Sequence, residues 1–478
     1  MAAVAVCTVL QMAGPWAQAG LLLALSAWAL RGTKHAVQSL SLVFLIVHAN
    51  PMLTQSDPSL NLLRWLPLIS ATVRLALTLV HLRRKEATPP WLMPLVVFGV
   101  VCGGQALLVS PNLSVSLLKL ISFAVGAGVV LGSVARSGET ADYWFGWLNS
   151  IYLAVVLLSI PLYWMPAGFA RNSVGFQGIT SHPQTLAVFL APFVAWATYQ
   201  MLSGVRLGRL QSLCLAAGCW MLWVSGTRTA FTAICLGLLL TTVVAVSRGA
   251  LNRGRVVRSV LLRGSGLLAL VIIVMSVYSD SVGPRVLAFI MKVDSSQMTS
   301  DSEFSAEVAV RSRVGLVEKQ KDSIAANPLM GVGFGISASH EDMLVELDEV
   351  TGLPKSAPVE SGFLPLAVLS QVGLVGASAW LVLFWSVAKP VVERANGATI
   401  ALFGAGVGVN IGEVIFFSFG GMGLLMWLVI AVCVLEGARI DSYAPTQSAA
   451  SRRRLGDRSA YFRMKKRMLA IAREQAHS

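Results

Sequence analysis

Charge is what this sequence has least of: only 13% of its 478 residues are Asp, Glu, Lys or Arg, where an ordinary soluble domain carries roughly 25%. Hydrophobic residues make up 55%. A soluble chain of this length would fold as two or three domains with charged surfaces, and that class is excluded. Cysteine is scarce as well. The six present, Cys7, Cys102, Cys214, Cys219, Cys235 and Cys433, all sit in apolar sequence and form no Cys-x-x-Cys pair. A disulfide scaffold and a zinc site are therefore not supported. Acidic residues are fewer than basic ones, 23 against 37, for a net charge of +14. A basic excess marks a nucleic-acid binder only when the bases gather on one exposed soluble face.

What the chain has instead is a succession of apolar blocks of about 20 residues, the length that crosses a bilayer as a helix. They fall near 8–30, 36–52, 60–82, 91–109, 113–135, 144–165, 183–202, 210–226, 229–247, 264–279, 361–388, 396–412 and 414–436. The expectation is an all-α polytopic membrane protein with about 12–14 transmembrane helices and one long, partly helical loop. Gly14 and Pro15 offer a break in the first block, which lacks the basic leader of a cleavable signal and is read as retained. With the C-terminus cytoplasmic, the inner segments collect 25 of the 37 Lys and Arg and 8 of the 23 acids. That is the positive-inside distribution of an inner (cytoplasmic) membrane protein, and no nucleic acid is expected as a partner. The chain then divides into N-terminal helices (1–279), an outer, periplasmic loop (280–360), C-terminal helices (361–436) and a basic cytoplasmic tail (437–478). The arginine-rich runs of the tail read as a solvated topogenic tail or as a short amphipathic helix on anionic lipid.

The loop 280–360 is far longer than a connection in a compact protein needs, and loops of that size are usually functional. Residues 303–326 have helix-forming composition, stopped by Asn327-Pro328. Gly331-Val332-Gly333-Phe334-Gly335 follows, a run that reads either as a turn re-entering the membrane or as backbone N–H groups able to approach an oxyanion. Within the helical stretch Arg311 and Arg313 point to different faces. Arg313 lies among Val314, Leu316 and Val317 and needs an anionic partner, for which Glu307 and Glu318 are the structural choices.

Arg228 stands in Ser225-Gly226-Thr227-Arg228-Thr229-Ala230, an outer turn with apolar sequence on both sides, where a lone charge is costly unless paired or solvated. Arg64 and Lys119 lie near the outer ends of their spans, and Arg171 lies in the short outer loop before Ser181-His182-Pro183-Gln184. Snorkelling to the headgroups is the bland reading of Arg64 and Lys119. Convergence of these cations on one outer cavity is the sharper one, and a lipid-linked diphosphate is the ligand that suits it. Guanidinium forks hold phosphate oxygens and stabilise charge on a leaving diphosphate, with no metal or cofactor required. Glycosyl transfer from such a donor then needs a base for the acceptor hydroxyl, and the loop offers His340 and Glu360.

In order along residues 170–380, four pieces of this sequence resemble the O-antigen ligase and O-antigen polymerase superfamily of bacterial envelope glycosyltransferases. Gly175-Phe176-Gln177-Gly178 with Ser181-His182-Pro183-Gln184 resembles the family's Gly-Phe-x-x-x-Pro-Asn stretch, and Ser225 to Ala230 resembles its Ser-Gly-Ser-Arg-Thr-Ala turn. Arg313 followed by Asn327-Pro328-Leu329-Met330-Gly331-Val332-Gly333-Phe334-Gly335 resembles its arginine, helix and Pro-x-x-Gly-x-Gly-x-Gly segment. Gln371-Val372-Gly373-Leu374-Val375-Gly376 resembles its Glu-x-Gly-x-x-Gly span. The resemblance implies a metal-independent membrane glycosyltransferase acting on undecaprenyl-diphosphate-linked oligosaccharide, with Arg228 and Arg313 gripping the diphosphate; the convergence of outer cations adds Arg171, Arg311, Arg64 and Lys119 as expected binding residues. Membrane lipids surround such an enzyme, and flippase and chain-length regulator proteins would be its partners. Ligases of the family carry His-Asn where this chain has Gly362-Phe363, so the expectation is a repeat-unit polymerase of O-antigen or exopolysaccharide synthesis, with Lys355 and Glu360 as replacements. A ligase acting on lipid A core and a glycolipid flippase or transporter are the alternatives.

Overall fold

The computed structural model describes residues 1–54, 58–81, 88–169, 175–248, 317–337, 346–347, 354–356 and 363–438, together with 264 and 315. The protein is an all-α polytopic membrane protein. Its helices are α1 (Ala2–Met12), α2 (Pro15–Leu30), α3 (Thr33–Val47), α4 (Leu66–His81), α5 (Leu92–Val109), α6 (Leu113–Ala135), α7 (Ala141–Ser159), α8 (Pro183–Ser203), α9 (Arg209–Val224), α10 (Arg228–Ser247), α11 (Leu364–Arg394), α12 (Gly397–Gly408) and α13 (Gly423–Ala438). Among the described residues 7 helical stretches are long and apolar enough to cross a membrane, and the other apolar helices are shorter. Large apolar side chains on the outside, such as Val80 at 81% and Trp16 at 79% exposure, suit a hydrocarbon solvent and no aqueous one. A small antiparallel pair, β1 (Glu346–Leu347) with β2 (Pro354–Ser356), lies in the long loop.

Three expected spans take a different form. The first block is two helices, because Gly14 adopts φ +115° and Pro15 starts a new helix rather than continuing the old one. The last span begins at Gly423 and not near 414. Buried Asn410 holds the preceding connection out of helix by accepting the Ile415 and Phe416 N–H groups at 2.9 and 3.0 Å. The expected span 361–388 is broken inside α11, where Gly373 sits at φ +58°. The expected span 264–279 lies outside the described residues, apart from Gly264.

The loop contacts fall into two groups, one at each end of the bundle. At one end Thr33 Oγ1 donates to the Arg136 carbonyl at 2.9 Å, Lys34 pairs with Glu139 at 2.8 Å, and Asn396 and Thr399 donate to Glu436. Arg248 there donates to the carbonyls of Val391, Val392 and Ala395, capping the C-terminus of α11. At the other end Asn50 N–H donates to the Ile179 carbonyl at 2.9 Å, and Ser181 N–H to the His48 carbonyl at 2.8 Å. Phe176 N–H donates to the Val224 carbonyl at the same end.

Antiparallel α10 and α12 are held by a ladder of small residues. Gly412 lies on Thr229, Gly408 on Ala233, Gly404 on Gly237, and Gly397 near Thr241, whose Oγ1 reaches the Gly397 carbonyl at 3.4 Å. A Cβ on Gly412 would stand 2.2 Å from Thr229 Oγ1, so the last rung admits nothing larger. In lipid, where apolar burial drives little association, such close backbone approach is what binds helices together.

Candidate functional site

The four motif pieces meet in two pairs. In the first pair, Gly175 lies so close to the Ser225 carbonyl that a Cβ would stand 2.6 Å from it, and Phe176 is fully buried. Asn50 stitches this loop together, with Nδ2 donating to the carbonyls of Ala167 and Gly178 at 2.7 Å each. His182 then caps α8: its Nδ1 accepts the Gln184 N–H at 3.2 Å, which requires an unprotonated Nδ1. Burial holds the His182 pKa below the ordinary histidine value. Across from it Ser225 ends α9, Gly226 turns at φ +66°, and Arg228 opens α10.

In the second pair, the glycine run docks into the break of α11. Val332 and Gly333 N–H groups donate to the Ser370 and Gln371 carbonyls at 3.0 and 2.8 Å, while Leu374 and Val375 N–H groups donate to Pro328 and Leu329 carbonyls at 2.9 and 3.2 Å. Gln371 Oε1 accepts the Gly335 N–H at 3.0 Å, and Gln105 Nε2 donates to the Val372 carbonyl at 3.0 Å. Three carbonyls and two amides around the break at Gly373 are thus given partners from outside the helix, as non-helical backbone inside a membrane requires. Phe334 locks the splice by entering a cluster of Phe98, Phe123 and Phe417. This corrects both sequence readings of the run. Its N–H groups at 331, 332, 333, 335 and 336 are spent on protein acceptors and hold no oxyanion, and it is a docked splice rather than a loose turn. The glycines are required because Gly331, Gly333 and Gly335 all have positive φ, and a Cβ on Gly331 would lie 2.5 Å from Gln371 backbone atoms. Helix does run over 317–326 and ends at Asn327-Pro328 as expected.

Three expected site residues can be placed with their side chains. Arg228 is half-buried at the first position of α10. A cation is disfavoured at that positive end of the helix dipole, so helix stability does not explain it. Lys119 donates from Nζ to the Gly335 carbonyl at 2.8 Å, which ties α6 to the splice and replaces the snorkelling expectation. Arg64 lies on the 3₁₀ turn before α4, its Cζ 5.6 Å from the Trp65 ring centroid. Arg64 lines a crevice that includes neither Lys119 nor Arg228. Lys355 falls on strand β2. Arg171, Arg311, Arg313, His340 and Glu360 lie outside the described residues.

The structure adds a residue that the sequence reading passed over. Glu413 directly follows Gly412, the partner of Thr229 in the ladder, while Arg228 directly precedes Thr229. The two charges therefore flank the same rung. Glu413 Oε1 accepts from Gln184 Nε2 at 3.0 Å, which links it to the start of α8 as well. A lone acid between two apolar blocks, in Asn410-Ile411-Gly412-Glu413-Val414, was the available signal. Arg228, Glu413, Gln184 and His182 make a polar group at one end of an apolar bundle, able to bind an anion and to move a proton. Among the described residues no group of three or more His, Cys, Asp or Glu is placed to hold a metal. No family model matches this chain, and no curated protein is similar to it.

Proposed function

We propose that this protein is a membrane glycosyltransferase that polymerises undecaprenyl-diphosphate-linked repeat units at the outer face of a bacterial inner membrane. The observation that carries the reading is the placement of Arg228: a guanidinium set at the positive end of a helix, half-buried in an apolar turn, with a carboxylate on the adjoining rung. A guanidinium so placed can hold phosphate oxygens in a bidentate fork, which supports the reading. The positive-inside charge distribution supports an orientation with this end outside the cytoplasm, where lipid-linked glycans are assembled.

In this reading the acceptor hydroxyl oxygen forms a bond to the anomeric carbon of the donor. The bond from that carbon to the diphosphate oxygen breaks, and the diphosphate leaves with the electron pair. Arg228, with Arg313, neutralises the growing charge. The hydroxyl proton passes to a carboxylate or imidazole: Glu360 and His340 are the sequence candidates, and Glu413 is the carboxylate beside the Arg228 turn. A flippase would supply the lipid-linked substrate, and a chain-length regulator would measure the product.

The direct test is elongation of a lipid-linked oligosaccharide by purified protein in liposomes without any nucleotide sugar. Product longer than the input supports the proposal, and its absence with intact protein removes it. Carrier lipid from a deletion strain decides between polymerase and ligase. A single lipid-linked unit is expected; long carrier-linked chains would mean that the ligase reaction is served despite Gly362-Phe363.

A further inference from the structure

Joining two carrier-linked glycans requires two carriers at once, so the transferase reading, on which this inference rests, demands a second phosphate site at the same end as Arg228. Arg64 supplies its chemistry. Its Nε is sealed from solvent with no hydrogen-bond partner among the described residues, a state it shares with Arg74 and Arg136, but of the three it is Arg64 that lines the crevice where an anion could complete it. The guanidinium borders a narrow crevice, open to the outside, between α3, α4 and the turn at 419–424, walled by Val43, Phe44, Leu68 and Phe419. Gly420 and Gly421 form its rim, where the absence of side chains lets a ligand approach the backbone; a Cβ on Gly420 would already stand 3.3 Å from Trp65.

A second group points the same way. Behind Gly421 lies His48, whose ring hydrogen-bonds to the Gly421 backbone and whose Nε2 is sealed with no hydrogen-bond partner among the described side-chain contacts. Below Arg64, α4 presents Ile69, Val73 and Leu77 outward at intervals of one turn, a hydrocarbon lane leading from the crevice into the bilayer. One connection, 409–422, joins the two places. It carries Glu413 beside the Arg228 rung and, a few residues on, Gly420 and Gly421 at the Arg64 crevice.

We propose that Arg64 and the crevice it borders bind the phosphate of a second polyprenyl-linked molecule, the acceptor, while Arg228 holds that of the donor. The short, clamped connection between them then sets the distance across which the acceptor hydroxyl meets the donor anomeric carbon.

The test counts undecaprenyl diphosphate molecules bound to the purified full-length protein by native mass spectrometry. Two are expected for the wild type, one for Arg64→Gln, one for Arg228→Gln, and two for Arg74→Gln, a control on the same helix. Arg64→Lys, which keeps the charge but not the fork, should bind its second copy at least tenfold more weakly. Two copies retained in Arg64→Gln, or only one in the wild type, would overturn the proposal. So would loss of the Arg64-dependent copy to equimolar phosphatidylglycerol or inorganic diphosphate, which would make the crevice a bulk-lipid or free-phosphate site. In liposomes Arg64→Gln should raise the acceptor KM about tenfold and leave the donor KM unchanged, whereas a structural defect would alter both. Two bound copies without elongation would leave the site standing and remove the polymerase reading instead.

Discussion

The two ends of the bundle use charge in opposite ways. At one end several charges stabilise the fold: Lys34 pairs with Glu139, Arg248 caps α11, and Glu436 accepts from Asn396 and Thr399, while Arg136 keeps a sealed Nε with no hydrogen-bond partner among the described residues. At the other end two described charges stand in less favourable surroundings. Arg228 faces a positive dipole end, and Arg64 carries a sealed Nε with no hydrogen-bond partner among the described residues. Groups kept in unfavourable surroundings are where a membrane protein recognises ligands, and groups kept in favourable ones are where it holds itself together.

The largest change that breaks this contrast is Gly373→Val. It forces a β-branched residue to φ +58° and drives a Cβ to within 2.3 Å of the Leu329 carbonyl, so the splice cannot form. Destabilisation of about 3 kcal/mol or more is expected, read as loss of folded protein on size exclusion and in thermal unfolding. Next come paired substitutions at the two ends. Arg228→Lys should reduce transfer by about 2 kcal/mol of transition-state stabilisation, roughly 30-fold, with Tm unchanged, because a point charge cannot reproduce a bidentate fork. Arg248→Ala should do the reverse, costing about 1 kcal/mol of stability with transfer per folded molecule unchanged. If both variants behave alike, the division between the ends is wrong.

A finer effect is expected at the α8 cap. The His182 pKa is lowered in the fold, so the unfolded chain binds the proton more readily, and stability falls as pH drops below about 6.5. Thermal unfolding between pH 7.5 and 5 should show this loss, and His182→Asn, which caps without titrating, should flatten the slope. An unchanged slope would take His182 out of the pH response. The smallest effect is expected for Glu139→Gln, since its half-buried, partly solvated pair with Lys34 adds only modestly to Tm; a large fall would show that end of the bundle to be more finely balanced than its geometry indicates.

Much of this was legible in one dimension. Hydropathy blocks of bilayer length located nearly every helix, because a helix is the structure that satisfies its own backbone in lipid. The rule failed where satisfaction came from elsewhere in the chain. Nothing local announces that Asn410 holds 413–422 out of helix, or that α11 breaks at Gly373 because residues 328–335 replace its lost hydrogen bonds. The motif around Arg228 stood out as a charge in an apolar turn, and the glycine run stood out as well, though its purpose did not: positive φ marks a backbone requirement without saying whether a ligand or another helix imposes it. Glu413 is the clearest case. The sequence by itself determined that a lone acid lies between two apolar helices. Only the tertiary structure set it beside Arg228, because the ladder from Thr241 and Gly397 to Thr229 and Gly412 fixes the register of two helices that stand far apart in the chain.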